Sequence, residues 1–403
     1  MQHRNVSAET RAATSSMIER WAGLSADIAA GIPRNERSRG TLRVIGSGLA
    51  HADLTLNDEA AIRNADHVFY CLYDRVTQVW IDKLRPDALD LRILYDADTD
   101  RHDTYVCMAE AMLYHVRRGR SVLAIYYGHP GVFATPTHRA VRIARKEGHA
   151  ATMRPGLSAL DHLIADVGFD PMMPGLLSYE ASDLLLRRRR LDPTLHTIVW
   201  QVGTVGEFQY APGGFANHGF ERLLDALEDV YGAGAELIHY LAPQYVGIEP
   251  LIARHRIDAM RDPGLRSGVT ALSTFYLPPS ELAPTDPAEA AALHLPGVPS
   301  AGMAVESAYD LASYGDGERD ALKRFREFRA PLHYTSAAAS PAAEFLLALS
   351  RDPDRQRRYA EDPQAVVDAS QVPGLSDRAR RLLAIPHPSS FNAAMAEPAD
   401  DGQ

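Results

Sequence analysis

The segment AIYYGHPGVFATPTHRA, residues 124–140, carries more chemistry than a simple connection needs. An apolar run, Val122–Tyr127, breaks into Gly128-His129-Pro130-Gly131. Val132 and Phe133 follow, and Thr135-Pro136-Thr137-His138 opens a helix. Tyr127 and His129 therefore leave a buried strand at one edge. An imidazole there is a candidate for proton transfer; a loop histidine satisfied by its own backbone is the competing reading. Glycines let backbone N–H groups approach an anion or an adenosyl ligand closely. VIGSGLA repeats the theme with Gly46-Ser47-Gly48, but position 51 is His, so a GxGxxG dinucleotide signature is incomplete. RPGLSALD supplies a third turn. Its Ser158 and Ala159 stand at a helix N-terminus, where amides are unpaired. Ser158 reads equally well as a plain N-cap.

YDADTDRHDTY places Arg101 and Tyr105 four residues apart, so a helix that begins at Arg101 puts both on one face. On residue types alone this stretch is a solvated, Asp-rich turn with one structural tyrosine. Gln201, in WQVG, ends an apolar strand, and a buried amide there needs partners.

Strands must carry these loops. The spacing predicts strands ending near Gly46, Leu72, Tyr95, Tyr127 and Met153, with a helix over 104–118 and others opening at Asn57, Thr135 and Ser158. Tyr95 is expected to end a short strand. Further strands are expected over 195–203, 235–243 and 268–279, with a helix over 219–232. Strands alternating with helices predict an α/β fold with most neighbours parallel. Residues 1–38 read as one amphipathic helix, marked by Met17, Ile18, Trp21, Leu24 and Ile28, and a flexible link. Residues 39–279 form the main domain. Residues 280–340, rich in Ala, Pro and Ser, read as connecting or wrapping chain. Residues 341–385 predict three short helices, with Pro just inside their starts. Residues 386–403 read as a polar, mobile tail.

Composition narrows the partners. The 403 residues carry a net charge of −10, which argues against nucleic acid. The run Arg187–Arg190 reads as a solvated helix end in preference to a phosphate site. Cys71 and Cys107 lie in no metal-ligand pattern, so a reduced, cytoplasmic protein without structural zinc is expected. No apolar run reaches membrane-spanning length and no secretory signal is visible.

VIGSGLA, ADHVFYCLYD, YYGHPGVFATPTHRA, MRPGLSALD, YEASDLLLR and WQVG occur in this order. Together they resemble the tetrapyrrole-methylase type of S-adenosylmethionine-dependent methyltransferase. Within it they resemble the borosin α-N-methyltransferases, which methylate peptide backbone amides. The resemblance is strong over 41–279 and weaker over 341–385. It implies a two-subdomain α/β methyltransferase with the cofactor between the halves and a C-terminal helical clasp. It also implies a homodimer in which each clasp wraps the other subunit.

By motif match the family's catalytic trio falls on Tyr95, Arg101 and Tyr105. An amide nitrogen is a poor nucleophile, so its carbonyl needs stabilisation and its proton an acceptor. The roles implied are Tyr105 as proton acceptor, Arg101 as its activator and anion stabiliser, and Tyr95 as a donor that orients the amide. Tyr127 joins this group. A further family tyrosine is replaced here by Arg92. Gly46, Gly48, Tyr127, His129, Val132, Phe133, Ser158, Ala159 and Gln201 are the cofactor contacts implied. Tyr179 and Glu180 read as a cap and a surface contact; Ala242, Ser273 and Thr274 would frame the adenine. Self-methylating family members carry their substrate after the clasp as a run of Val, Ile and Gly. Here AIPHPSSFNAAMAEPADDGQ has no such run, leaving two readings: an unusual core within Ser389–Met395, or a core on a separate peptide. The rival activity is small-molecule methylation of the tetrapyrrole type. The helices of 341–385 argue against it.

Overall fold

The computed structural model describes residues 8–31, 39–55, 57–211, 214–243, 245, 247–294, 314–329, 332 and 339–398. The link expected over 33–40 lies largely outside them.

The first sheet contains β1 (Thr41–Gly46), β2 (His67–Cys71), β3 (Leu89–Asp90), β4 (Ser121–Tyr126) and β5 (Ala150–Met153), in the order β3-β2-β4-β1-β5. Every pairing is parallel. Leu42, Val44, Phe69, Val122 and Ala124 are buried because helices cover the sheet. Those helices are α1 (Ala8–Ala29), α3 (Arg75–Leu84), α4 (Arg101–Arg117) and α5 (Thr135–Lys146). Trp21 and Leu24 of α1 join the core with Phe69 and Met112, so the N-terminal helix is integral to this domain. The strand expected to end at Tyr95 is shorter than that. Asp90 accepts from the Arg92 amide and starts a 3-10 turn over Leu91–Leu94, and Tyr95 follows it.

Helix α6 (Ala159–Val167) leads into a second sheet of β6 (Leu176–Glu180), β7 (His196–Trp200), β8 (Glu236–Leu241), β9 (Leu251–Arg256) and β10 (Thr274–Leu277). Its order is β6-β7-β10-β8-β9. Only β6–β7 is parallel; β7–β10, β10–β8 and β8–β9 are antiparallel. The parallel expectation therefore holds for the first half alone. β9 escaped the sequence reading because it alternates exposed and half-buried residues instead of forming an apolar run. Helices α7 (Ala181–Leu186), α8 (Phe220–Tyr231) and α9 (Pro263–Arg266) accompany this half. Phe220, Leu223, Leu227 and Phe275 form one core, while Leu163 of α6 packs with Ile198, Trp200 and Tyr240 in another.

A separate helical unit comprises residues 55–64 and the C-terminal segment. The first stretch contains α2 (Asp58–Asn64), whose neighbour Asn57 donates to Ser350 O at 2.9 Å. Sequence reading had counted that stretch with the main domain. Helices α10 (Pro287–Ala292) and α11 (Asp316–Arg326) interrupt the expected connecting chain. Then come α12 (Pro341–Arg351), α13 (Pro353–Glu361), α14 (Pro363–Asp368) and α15 (Asp377–Leu383). Four helices stand where three were expected, because each Asp-Pro ends one helix and caps the next: Asp352 caps α13 and Asp362 caps α14. The described part of the tail is helical. It forms α16 (Pro388–Met395), with Ala394 buried among Phe345, Tyr359 and Leu383.

Candidate active site

The loops leaving β1, β4 and β5 meet backbone to backbone. A Cβ on Gly46 would lie 2.1 Å from Gly128 O and 3.0 Å from Gly156 Cα. Any side chain there would force the loops apart. Gly48 has φ +70°, and a Cβ on it would strike Asp53. Gly128 N donates to Gly48 O at 2.8 Å, locking the first and fourth strand ends together. Asp53 Oδ2 accepts from Leu49 N at 2.8 Å and Ala50 N at 3.2 Å, and meets His162 Nε2 at 3.2 Å. These are the amides a phosphate would need. A carboxylate already holding them disfavours a dinucleotide and leaves the turn suited to an uncharged or cationic group.

The β4 exit loop is held from behind. Thr137 donates to Pro130 O at 2.5 Å, and His138 Nε2 meets Gly131 O at 2.9 Å. His129 Nδ1 accepts from Gly131 N at 3.0 Å, so the imidazole braces its own loop. Val132 and Phe133 stand exposed, and Phe133 has φ +51°. The Phe133 ring lies 6.2 Å from that of Trp200, at the end of β7. Gln201 follows with φ +58°, and its side chain has no hydrogen-bond partner among the described residues. Two non-glycine residues in left-handed backbone, Phe133 and Gln201, thus flank the Phe133–Trp200 ring contact. Such strain clusters at ligand sites.

A cluster of phenols lies at the strand ends on the α4 side. Arg101 is the first residue of α4, capped by Asp100, so Arg101 and Tyr105 do share a helical face. The Tyr95 and Tyr105 rings meet edge to face at 6.5 Å. Tyr210 stacks on Tyr95 at 5.3 Å, Arg101 Nη2 donates to Gln209 O at 3.4 Å, and Asp100 bridges Gln209. The 207–211 loop from the second half therefore lies against Tyr95 and Arg101. Arg101 Nε is buried without a partner among the described residues. Burial raises the Tyr95 phenol well above its ordinary range, reinforced by Cys71 and Tyr105. Burial likewise pushes Tyr127 up to about 12, with Asp74 and Asp53 adding to it. Both are neutral donors at physiological pH. Arg92 is turned away from this role: it pairs with Asp90 at 2.7 Å and donates to Gln78 at 3.1 Å.

Other expected contacts divide. Ser158 caps α6: its hydroxyl accepts from Leu160 N and Asp161 N, and Asp161 accepts from Ser158 N at 2.6 Å. Its polar atoms are spent on the helix, leaving the Ala159 amide as the unpaired one. The cap of α7 is Glu180, not Tyr179, whose hydroxyl donates to Arg190 O instead. Ser273 is fully buried, bonded to His239 Nε2 at 2.7 Å and to Thr270 N. Thr274 is buried as well, while Ala242 packs under Trp200 and Tyr240. Ser273 precedes β10 and Thr274 opens it, and both side chains are buried.

Three residues went unassigned from sequence. Tyr73 is half-exposed beyond β2, its ring 5.6 Å from Tyr127. Tyr210 caps Tyr95. Asp53 fills the glycine turn. Tyr73 lies two residues past a strand that pairs with β4, so the pairing alone would have brought it beside Tyr127.

The comparisons follow this geometry. The tetrapyrrole (corrin/porphyrin) methylases match residues 41–242, and the borosin biosynthesis clasp domain matches 313–402. A methyltransferase/ribosomally synthesized type I borosin cyclic peptide precursor of Cerrena unicolor is 39% identical over 366 residues, covering 88% of this chain and 89% of its own. One of the same description from Mycena rosella is 37% identical over 366 residues, covering 89% and 90%. A type III precursor of Anomoporia bombycina is 40% identical over 361 residues, which span 85% of this chain and 41% of the relative.

Proposed function

The chain belongs to the borosin methyltransferases, and from that premise we propose that it moves methyl groups from S-adenosylmethionine onto backbone amide nitrogens of a ribosomally made precursor peptide. The observation that carries this reading is the Tyr95–Tyr105 ring pair together with an Arg101 guanidinium nitrogen that is buried without a partner among the described residues, one helical turn before Tyr105. A substrate carbonyl is a fitting partner for that nitrogen.

The residues fit the cofactor. Gly46 and Gly48 let the strand-end loops pack tightly enough to frame the cleft, Val132 and Phe133 offer an apolar wall, and the Gln201 side chain has no partner among the described residues. S-adenosylmethionine supplies an electrophilic methyl on a sulfonium. Tyr95, held neutral, donates to the amide carbonyl and fixes its plane. Arg101 stabilises the negative charge that builds on that oxygen. Tyr105 receives the amide proton. Tyr73 and Tyr127 wall the peptide side of the cleft and keep water from the transfer.

The partner proposed is a second copy of this chain. Helix α11 and the residues after it present Leu322, Phe325 and Phe328 at 51%, 74% and 60% exposure, an apolar row with nothing over it among the described residues. Sedimentation should give a dimer for the native chain and a monomer for Phe325→Asp.

Titration calorimetry with S-adenosylmethionine, paired with intact mass after incubation, tests the activity. Saturable binding and mass increments of one methyl are expected. Failure to bind would remove the proposal.

A further inference from the structure

This inference rests on the methyltransferase reading. We infer that residues 387–397 are a structural helix of the clasp and not the methylated segment, so that the substrate amides lie on peptide outside them.

An amide can be methylated only if its N–H is presented. From Phe391 to Glu397 the helix and its C-cap engage the N–H groups. His387 Nδ1 accepts from Ser389 N, and Phe391 N donates to His387 O at 3.1 Å. Ala396 N donates to Asn392 O and Glu397 N to Ala394 O, each at 3.2 Å. Pro386, Pro388 and Pro398 have no N–H at all. An N-methyl group inside α16 would delete a helix hydrogen bond and crowd the preceding turn, much as proline does.

The helix is also held by its side chains. Ala394 is fully buried, and Phe391 meets Tyr359 with ring centroids 6.4 Å apart. Tyr359 in turn donates to Leu383 O, and Arg378 pairs with Glu397 at 3.3 Å. Removing α16 would open the Phe345–Tyr359–Leu383 core. A segment that the clasp needs for its own packing is a poor choice for repeated delivery to an active site. The clasp match extends to 402, through this helix, which agrees with a structural role.

The substrate is therefore an extended peptide, from a separate molecule or from chain continuing past Gln403. Hydrogen exchange and tandem mass spectrometry on the full chain test this through one tryptic peptide, Leu382–Gln403. Amides 391–397 should exchange at least about tenfold more slowly than unstructured chain. After incubation with S-adenosylmethionine they should carry no methyl. Exchange at the unstructured rate, or a methyl on any backbone nitrogen from 389 to 397, overturns the inference. A Pro-free Val-Gly dodecamer, added free or fused after Gln403, separates the two sources: methylation of the free probe points to a separate peptide, and of the fused probe alone to continuing chain. Calorimetric binding of S-adenosylmethionine on the same preparation keeps failure of the activity reading distinct. A protein that binds the cofactor and methylates its own α16 loses only this inference.

Discussion

Phe133 and Gln201 hold left-handed backbone at φ +51° and +58°, a conformation costly to side chains that glycine would adopt freely. Neither is needed for packing: Phe133 is more than half exposed, and the Gln201 side chain bonds to nothing described. The strain makes sense if both face a ligand. Gln201→Gly should leave thermal stability unchanged or raised by up to ~1 kcal/mol while weakening S-adenosylmethionine binding roughly tenfold. A clear loss of stability with unchanged affinity would make Gln201 structural. The phenols divide by environment in the same way. Tyr95 and Tyr127, raised by burial, act as donors at neutral pH, and the proposal gives proton acceptance to Tyr105, one helical turn from Arg101.

At the scale of elements, the site is a product of parallel pairing. With β4 inserted between β1 and β2, the chain's direction across the sheet switches there, and such points gather ligand loops at strand C-termini. Gly46 is the tightest point of that junction. Gly46→Ala should abolish cofactor binding and cost several kcal/mol, on the order of a severe overpacking change, read as a fall in melting temperature. Near-native stability with intact binding would mean that the loops can separate freely. The glycines were legible in the sequence because close approach admits no substitute. Arg101 and Tyr105 were legible only through motif order, since an Asp-rich turn has the same composition. Tyr73 and Tyr210 were not legible as site residues: one depends on β2 lying beside β4, the other on the 207–211 loop crossing to α4. Helix α16 was missed because a single aromatic among Ser, Asn and Ala gives no periodic signal until Tyr359 and Phe345 are brought to meet it.

At the scale of the whole molecule, stability should be acid-sensitive for an identifiable reason. His67 stacks on His115 at 3.6 Å between β2 and α4. Burial first, then His67, Arg118 and Arg120, lower His115 to about 4, with Asp27 opposing; His67 is lowered too, by burial and Arg120, against Asp66. Folded values below the unfolded one mean that the neutral pair's stabilising contribution is present above about pH 6.5 and is lost as pH falls toward 4. Denaturant melts should lose on the order of 2 kcal/mol across that window, and His115→Gln should flatten the loss. An unchanged slope in that variant would assign the acid sensitivity elsewhere. The sequence foresaw the two halves and a C-terminal clasp, but neither the antiparallel second sheet nor the affiliation of residues 55–64 with the clasp unit. Both depend on contacts between segments distant in sequence.

The most direct test follows methyl transfer to the Val-Gly segment fused after Gln403, in the native chain and in Tyr105→Phe. Fragment ions should place each methyl on a backbone nitrogen of that segment. Tyr105→Phe should slow transfer by ~100-fold or more with cofactor affinity changed less than about twofold. Methyl groups on side chains, or full activity in Tyr105→Phe, would contradict the mechanism.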